Sequence, residues 1–341
     1  MTHPMLKYLP VLTLFISCIS SSSFVVADEK TNAHYHDGHS QQHKKPIEHD
    51  PSSKFFFAGE CSRNPAAPCS TSSQSKQKMR KAVIKSLYDE LIYPAPKAVL
   101  ADPSNANDIF EPSVIRGRVT PLGEYDDFEG AVEYFYGLAL TPQSRVDGIK
   151  VRSIVASDTQ VAVEVDLHFC QVPYTGCDTN IPHEGNNRTI RQIGFYTFNG
   201  YNKVISFDLT ILNLGKYADV YTEEQKTGDI IGVCTALTRA HFNVVTEQVA
   251  LGGTCTSDFD GAEDFAPGFP VVDGDAMTNC VAFMKSIPYG TWDQAASNTF
   301  TCRALHSLLT PLRPIHCAHT NYTGGGKCVD IPYGDFFESE Y

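Results

Sequence analysis

The residue types with most chemistry in them are histidine and cysteine, and both cluster. His306, His316 and His319 stand close to Cys280, Cys302, Cys317 and Cys328 near the C-terminal end. Neutral imidazoles and thiolates are ligands for zinc and copper, so this group is a candidate metal site. Its competing reading is three disulfides among the six cysteines from Cys234 onward, with the histidines hydrogen-bonded to nearby carbonyls. A second group, His34, His36, His39, His43 and His49, crowds a short polar stretch near the start. Such tracts bind copper or zinc weakly through single imidazoles, or serve only as solvated linkers. No Gly-rich phosphate loop, GxSxG elbow or HExxH helix occurs, so phosphate-cradling, hydrolase-elbow and zincin chemistry have no carrier here.

Cysteine usage points to an oxidising compartment. Of eleven cysteines, Cys18 falls in an apolar leader, which leaves Cys61, Cys69, Cys170, Cys177, Cys234, Cys255, Cys280, Cys302, Cys317 and Cys328. An even ten is read as five disulfides, and paired cysteines leave no thiol for a Cys–His nucleophile. The leader itself has Lys7, the apolar run from Tyr8 to Ser17, and small residues up to Ala27. That is the pattern of a cleaved secretory signal over 1–27, too short for a membrane span. Two sequons, at Asn187 and Asn321, are expected to be glycosylated on exposed loops of a secreted, extracellular glycoprotein. The net charge of −12 argues against a nucleic-acid partner, and no later run is apolar enough for membrane insertion.

These side chains must be positioned by what lies between them. Residues 28–77 are polar, His-rich and aperiodic, and are expected to be a disordered leader. From Met79, apolar residues recur at helical spacing through Val83, Ile84, Leu87, Tyr88 and Leu91 until Pro94. Asp126 to Glu129 has the form of a capping box, opening a helix with Val132, Phe135, Tyr136 and Ala139 on one stripe. Strands are predicted at 151–156, 160–169, 191–198 and 203–212, the last pair around Asn199-Gly200. In the second of these, Val161, Val163, Val165, Leu167 and Phe169 alternate with Glu164, Asp166 and His168, which places His168 on a solvent-facing side. Helices followed by a meander describe an α+β domain. Residues 223–341 hold six cysteines and short apolar runs, and are expected to depend on disulfides more than on a core.

Residues 78 to about 220 resemble the cone fold of SnoaL-like polyketide cyclases, nuclear transport factor, scytalone dehydratase and ketosteroid isomerase. The resemblance rests on an ordered set: the first helix, then Asn107 to Pro112, then Phe128 to Tyr136, the VAVEV strand, and Phe195 to Gly200 running into Lys203 to Phe207. It implies helices packed on a curved antiparallel sheet around a cavity. It also implies that Glu111, before Pro112, falls at the isomerase base position and Tyr88 near its hydrogen-bonding tyrosine. The third position falls on Gly194, which has no side-chain donor. The Cys-rich tail is similar to that of secreted fungal-type proteins.

The sequence therefore describes a signal peptide (1–27), a leader (28–77), a cone domain (78–222) and a disulfide-rich, irregular or helical region (223–341). The first expectation for function is binding of a small apolar molecule or an extracellular protein in the cone, with no cofactor. One alternative is a cofactor-independent isomerase, dehydratase or cyclase using Glu111 as base and Tyr88 as donor. Another is capture of copper or zinc through His34, His36, His39, His306, His316 and His319.

Overall fold

The computed structural model describes residues 72–171, 187–212, 214–215, 222–261, 265, 269–272 and 274–330. The signal peptide, residues 28–71 of the leader with its histidines, and Cys61, Cys69 and Cys177 lie outside them, while residues 73–77, expected to be disordered, are helical. Helix α1 (Ser73–Asp89) starts six residues before the apolar periodicity does, because the Ser72 side chain accepts from the Ser75 amide and caps the first turn. It buries Ile84, Leu87 and Tyr88 against the sheet. A short α2 (Pro96–Ala101) follows.

The sheet has six strands: β1 (Arg116–Thr120), β2 (Gly123–Tyr125), β3 (Ser144–Ala156), β4 (Gln160–Gln171), β5 (Asn187–Phe198) and β6 (Val204–Ile211), in the order β2-β1-β6-β5-β4-β3. Neighbours are antiparallel except β1 and β6, which are parallel, so the sheet is mixed and not the purely antiparallel one expected. The pairing of β3 with β4 shifts register twice, between Val146 and Gly148 and between Val151 and Ser153. Bulges of this kind bend a strand and curl the sheet. Helix α3 (Phe128–Val132) and the π-helical turn Glu133–Gly137 pack Val132, Phe135 and Tyr136 into the core. This is the cone arrangement that the resemblance implied.

Two expectations for β4 and β5 need correction. His168 is buried, with Nδ1 2.9 Å from Thr189 Oγ1 on β5. Its polar neighbour Asp166 is buried too, accepting from Arg152 Nε at 2.7 Å and Arg191 Nε at 2.6 Å. The alternation is real, but this half of the strand is covered on both faces, and its polar groups are matched by side chains from adjacent strands. Asn187 opens β5 with 2 % exposure, and so does not sit on an exposed loop. Asn321 is half-buried, its Oδ1 accepting from the Thr323 amide and hydroxyl.

The C-terminal region has more core than expected. Helices α4 (Glu223–Thr238), α5 (Ala276–Ser286), α6 (Phe300–Ser307) and α7 (Ile315–Thr320), with the hairpin β7 (Ala240–Asn243) and β8 (Gln248–Leu251), make up its regular structure. Ile230, Val233, Leu237, Phe259, Phe283 and Phe300 form a second hydrophobic cluster. Three disulfides pin it: Cys234–Cys280, Cys255–Cys317 and Cys302–Cys328. Cys170 is also disulfide-bonded. Ala295 and Leu305 leave this cluster to join the core of the cone, and Trp292 packs against it.

Candidate metal centre at the seam of the two regions

Helix α6 presents His306 four residues after Cys302, and α7 presents His316 and His319 on either side of Cys317. Both helices are anchored by disulfides at those cysteines, Cys302 to Cys328 and Cys317 to Cys255. The sulfurs are thus consumed as crosslinks and are not thiolate ligands, while the histidines do not turn to carbonyls. They turn to each other. His306 Nδ1 lies 3.2 Å from His316 Nδ1 and 3.2 Å from His319 Nδ1, and one nitrogen from each ring lies within 4.8 Å of the others.

The proton count makes this arrangement informative. Glu133, buried at the start of the π turn, is clamped by Arg313, whose Nε and Nη2 each donate at 2.7 Å. Its Oε2 also lies 3.0 Å from His316 Nε2. A carboxylate held by a guanidinium only accepts, so His316 carries its proton on Nε2 and points the Nδ1 lone pair at His306. A proton on His306 Nδ1 can serve one of its two close neighbours well and not both. A cation among the three nitrogens satisfies all of them. With zinc–nitrogen bonds of about 2.0–2.1 Å, two ligands of a tetrahedral ion are about 3.3–3.4 Å apart. The 3.2 Å spacings come close to that.

The electrostatics agree. Burial, reinforced by repulsion from the neighbouring histidines, pushes the His306 pKa well below the usual 6.5. Burial chiefly, with the neighbouring His316 and Lys327 acting in the same direction, pushes His319 down to about 4. Both rings are therefore neutral near pH 7, the form that binds metal. A hydrogen bond from the far nitrogen of a ligating histidine to a carboxylate fixes its tautomer and raises its basicity, which is the place Glu133 takes on His316. Gly325 closes the site from behind. Its φ is +53°, and a Cβ there would lie 2.7 Å from the His319 ring.

The three histidines open onto a cavity of about 290 Å³ between the regions. The hairpin β1–β2 and α3 form one wall, with Leu122; α6 and α7 form the other, with Leu305, Leu309 and Ile315.

The isomerase-type residues are placed differently. Tyr88 is fully buried; its hydroxyl donates to Gln192 Oε1 at 2.6 Å and lies 2.8 Å from Tyr196 Oη. The Gln192 amide donates in turn to Tyr134. Burial pushes the Tyr88 pKa upward, an effect that the Tyr196 hydrogen bond offsets only in part. Glu111 is half-buried at the cone's edge, accepting from Asn199 Nδ2 at 3.1 Å and Ser113 Oγ at 3.3 Å. Glu111 and Tyr88 thus sit in separate hydrogen-bond sets. Gly194 has no room for a side chain, since a Cβ there would fall 2.2 Å from the Asp208 carbonyl oxygen on β6. Sequence reasoning named the three tail histidines, which the fold brings together, and did not name Glu133 or Arg313. Their separation of 180 residues leaves no local signal to find.

Among the described residues no helix is long and apolar enough to cross a membrane. Comparison with known proteins matches residues 275–331 to the C-terminal domain of the BfoA family, the stretch that holds all three histidines. No match was found among curated proteins. Among solved structures the chain is similar to a putative SnoaL-like polyketide cyclase from Jannaschia sp. CCS1, with 15 % identity over 45 % of this chain and 91 % of that one, TM-score 0.29. It is similar to a putative polyketide cyclase from Xanthomonas campestris at 12 % identity, covering 42 % of this chain and 96 % of that one, TM-score 0.29. An LEH-like epoxide hydrolase of M. tuberculosis is similar at 7 % identity over 40 % and 85 %, TM-score 0.30.

Proposed function

We propose that this is a secreted protein that holds one transition-metal ion, of the zinc or copper class, on His306, His316 and His319. The observation that carries this is the approach of His316 Nδ1 and His319 Nδ1 to His306 Nδ1, each at 3.2 Å, with no thiolate among them. Imidazole-only donor sets suit zinc and copper. Glu133, itself clamped by Arg313, bonds the His316 ring, so the cone domain serves as the wall and anchor of the site. The disulfides support an oxidising compartment. Binding of a small apolar ligand inside the cone has less support, because Tyr88, Tyr134, Tyr196 and Gln192 bond one another there. The isomerase or dehydratase reading through Glu111 and Tyr88 has less support for the same reason.

The test is metal content and affinity of the full chain, compared with a His306→Ala/His316→Ala/His319→Ala variant. Zinc competition with a chromophoric chelator should show one tight site per chain that the variant lacks, above any weak binding by the leader. Equal zinc binding in both proteins would refute the proposal.

A further inference from the structure

The cavity beside the histidines bears on what kind of metal centre this is. A structural zinc site is closed by four protein ligands, whereas a site that keeps three leaves a position for an outside donor. Here the neighbouring groups are committed elsewhere. Cys302 and Cys328 are bonded to each other. Glu133 is engaged by Arg313 and by the far nitrogen of His316, on the side of that ring away from the Nδ1 cluster. Lys327 reaches the Glu124 carbonyl and Asp126 at the rim. All three histidines line the cavity.

On the reading that His306, His316 and His319 hold a metal, we propose that the centre is open. Its free coordination position faces the cavity, and the cavity takes a small molecule with one oxygen-donor head and an apolar body. The head would be a carboxylate, hydroxamate or carbonyl oxygen, which completes the coordination sphere. The body would lie against Leu122, Leu305, Leu309 and Ile315. A volume of about 290 Å³ stands at the small end of ligand pockets, which limits the occupant to roughly one ring. The charges at the rim are paired: Arg313 with Glu133 and Asp127, Lys327 with Asp126. The walls therefore select for shape and apolar area more than for charge.

Cobalt(II) in the full-length protein tests this, because its visible bands report coordination number without relying on turnover. The spectrum is read as a difference from the triple-histidine variant, which cancels cobalt held by the leader. Azide, acetohydroxamate and benzohydroxamate are then titrated in turn. The expected result is a four-coordinate spectrum that changes with all three. Benzohydroxamate should bind about tenfold or more tightly than acetohydroxamate, since its ring leaves water for an apolar wall. A four-coordinate cobalt spectrum that none of the three alters would show a closed structural site, overturning this inference while sparing the metal site itself. Equal affinity for the two hydroxamates would overturn the apolar occupant. Absence of any difference spectrum would remove the metal site and this inference together.

Discussion

At the scale of single residues, two sets of buried polar groups, around Tyr88 and around Asp166, make different predictions. Tyr88 donates to Gln192 and stands against Tyr196 in the interior of the cone. Tyr88→Phe would leave the Gln192 carbonyl oxygen without that donor, at a penalty of about 1–3 kcal/mol in unfolding free energy; chemical denaturation measures it. Asp166 predicts a pH dependence. Burial by itself would raise its pKa, but hydrogen bonds and charge from Arg191 and Arg152 prevail and hold it below the usual 3.8. The folded state then resists protonation more than the unfolded chain does, so the stabilisation is present above 3.8 and is lost as pH falls through the lower folded value. The acid limb of the stability curve should be steeper for the natural protein than for Asp166→Asn, read from denaturation midpoints across the acid range.

Elements decide how much of this the amino-acid sequence discloses. Strands β3 to β6 announce themselves through alternation and the Asn199-Gly200 turn, and α1 through its stripe. The hairpin β1–β2 does not, since strands of five and three residues with Gly117, Pro121 and Gly123 in or beside them carry no period. The stripe of Val132, Phe135, Tyr136 and Ala139 announces a helix after Asp127 but not its π turn, whose residues Glu133 to Gly137 are all buried. Yet these two elements form the cone's side of the candidate site. The tail helices show the opposite balance. Their histidines are conspicuous by type and their cysteines are expected to pair, but it takes the fold to bring α6 and α7 together and to show which cysteines bond. Gly325 tests how far a loop sets the site. Its positive φ and its approach to His319 leave no room for a Cβ, so Gly325→Ala should push the His319 ring off the cluster. Zinc affinity should fall by at least about tenfold, in the range seen when groups that orient metal ligands are lost, with the helix content unchanged by circular dichroism.

Over the whole molecule, the seam joins two cores that the chain builds separately. Leu305 and Ala295 belong to the C-terminal region in sequence and to the cone's core in space, and Arg313 reaches across to the buried Glu133. Removing Arg313 would leave the buried Glu133 carboxylate without its guanidinium, which is destabilising by about 3–5 kcal/mol. A metal held at His316 should therefore steady both regions, because its ligand is tied through Glu133 to the π turn of the cone. Binding that favours the folded state adds about 2.7 kcal/mol when free metal is a hundredfold above its dissociation constant. The single tryptophan, Trp292, packs against the cone's core from the C-terminal side and so reports on the seam. In the natural protein, thermal unfolding followed by Trp292 fluorescence and by far-ultraviolet circular dichroism should coincide, and zinc should move both upward together. In Glu133→Ala the clamp is gone while the three histidines remain, so the fluorescence transition should precede the loss of secondary structure and respond more weakly to zinc. Coincident, zinc-shifted transitions in that variant would show that the two regions stay coupled without the Glu133 clamp.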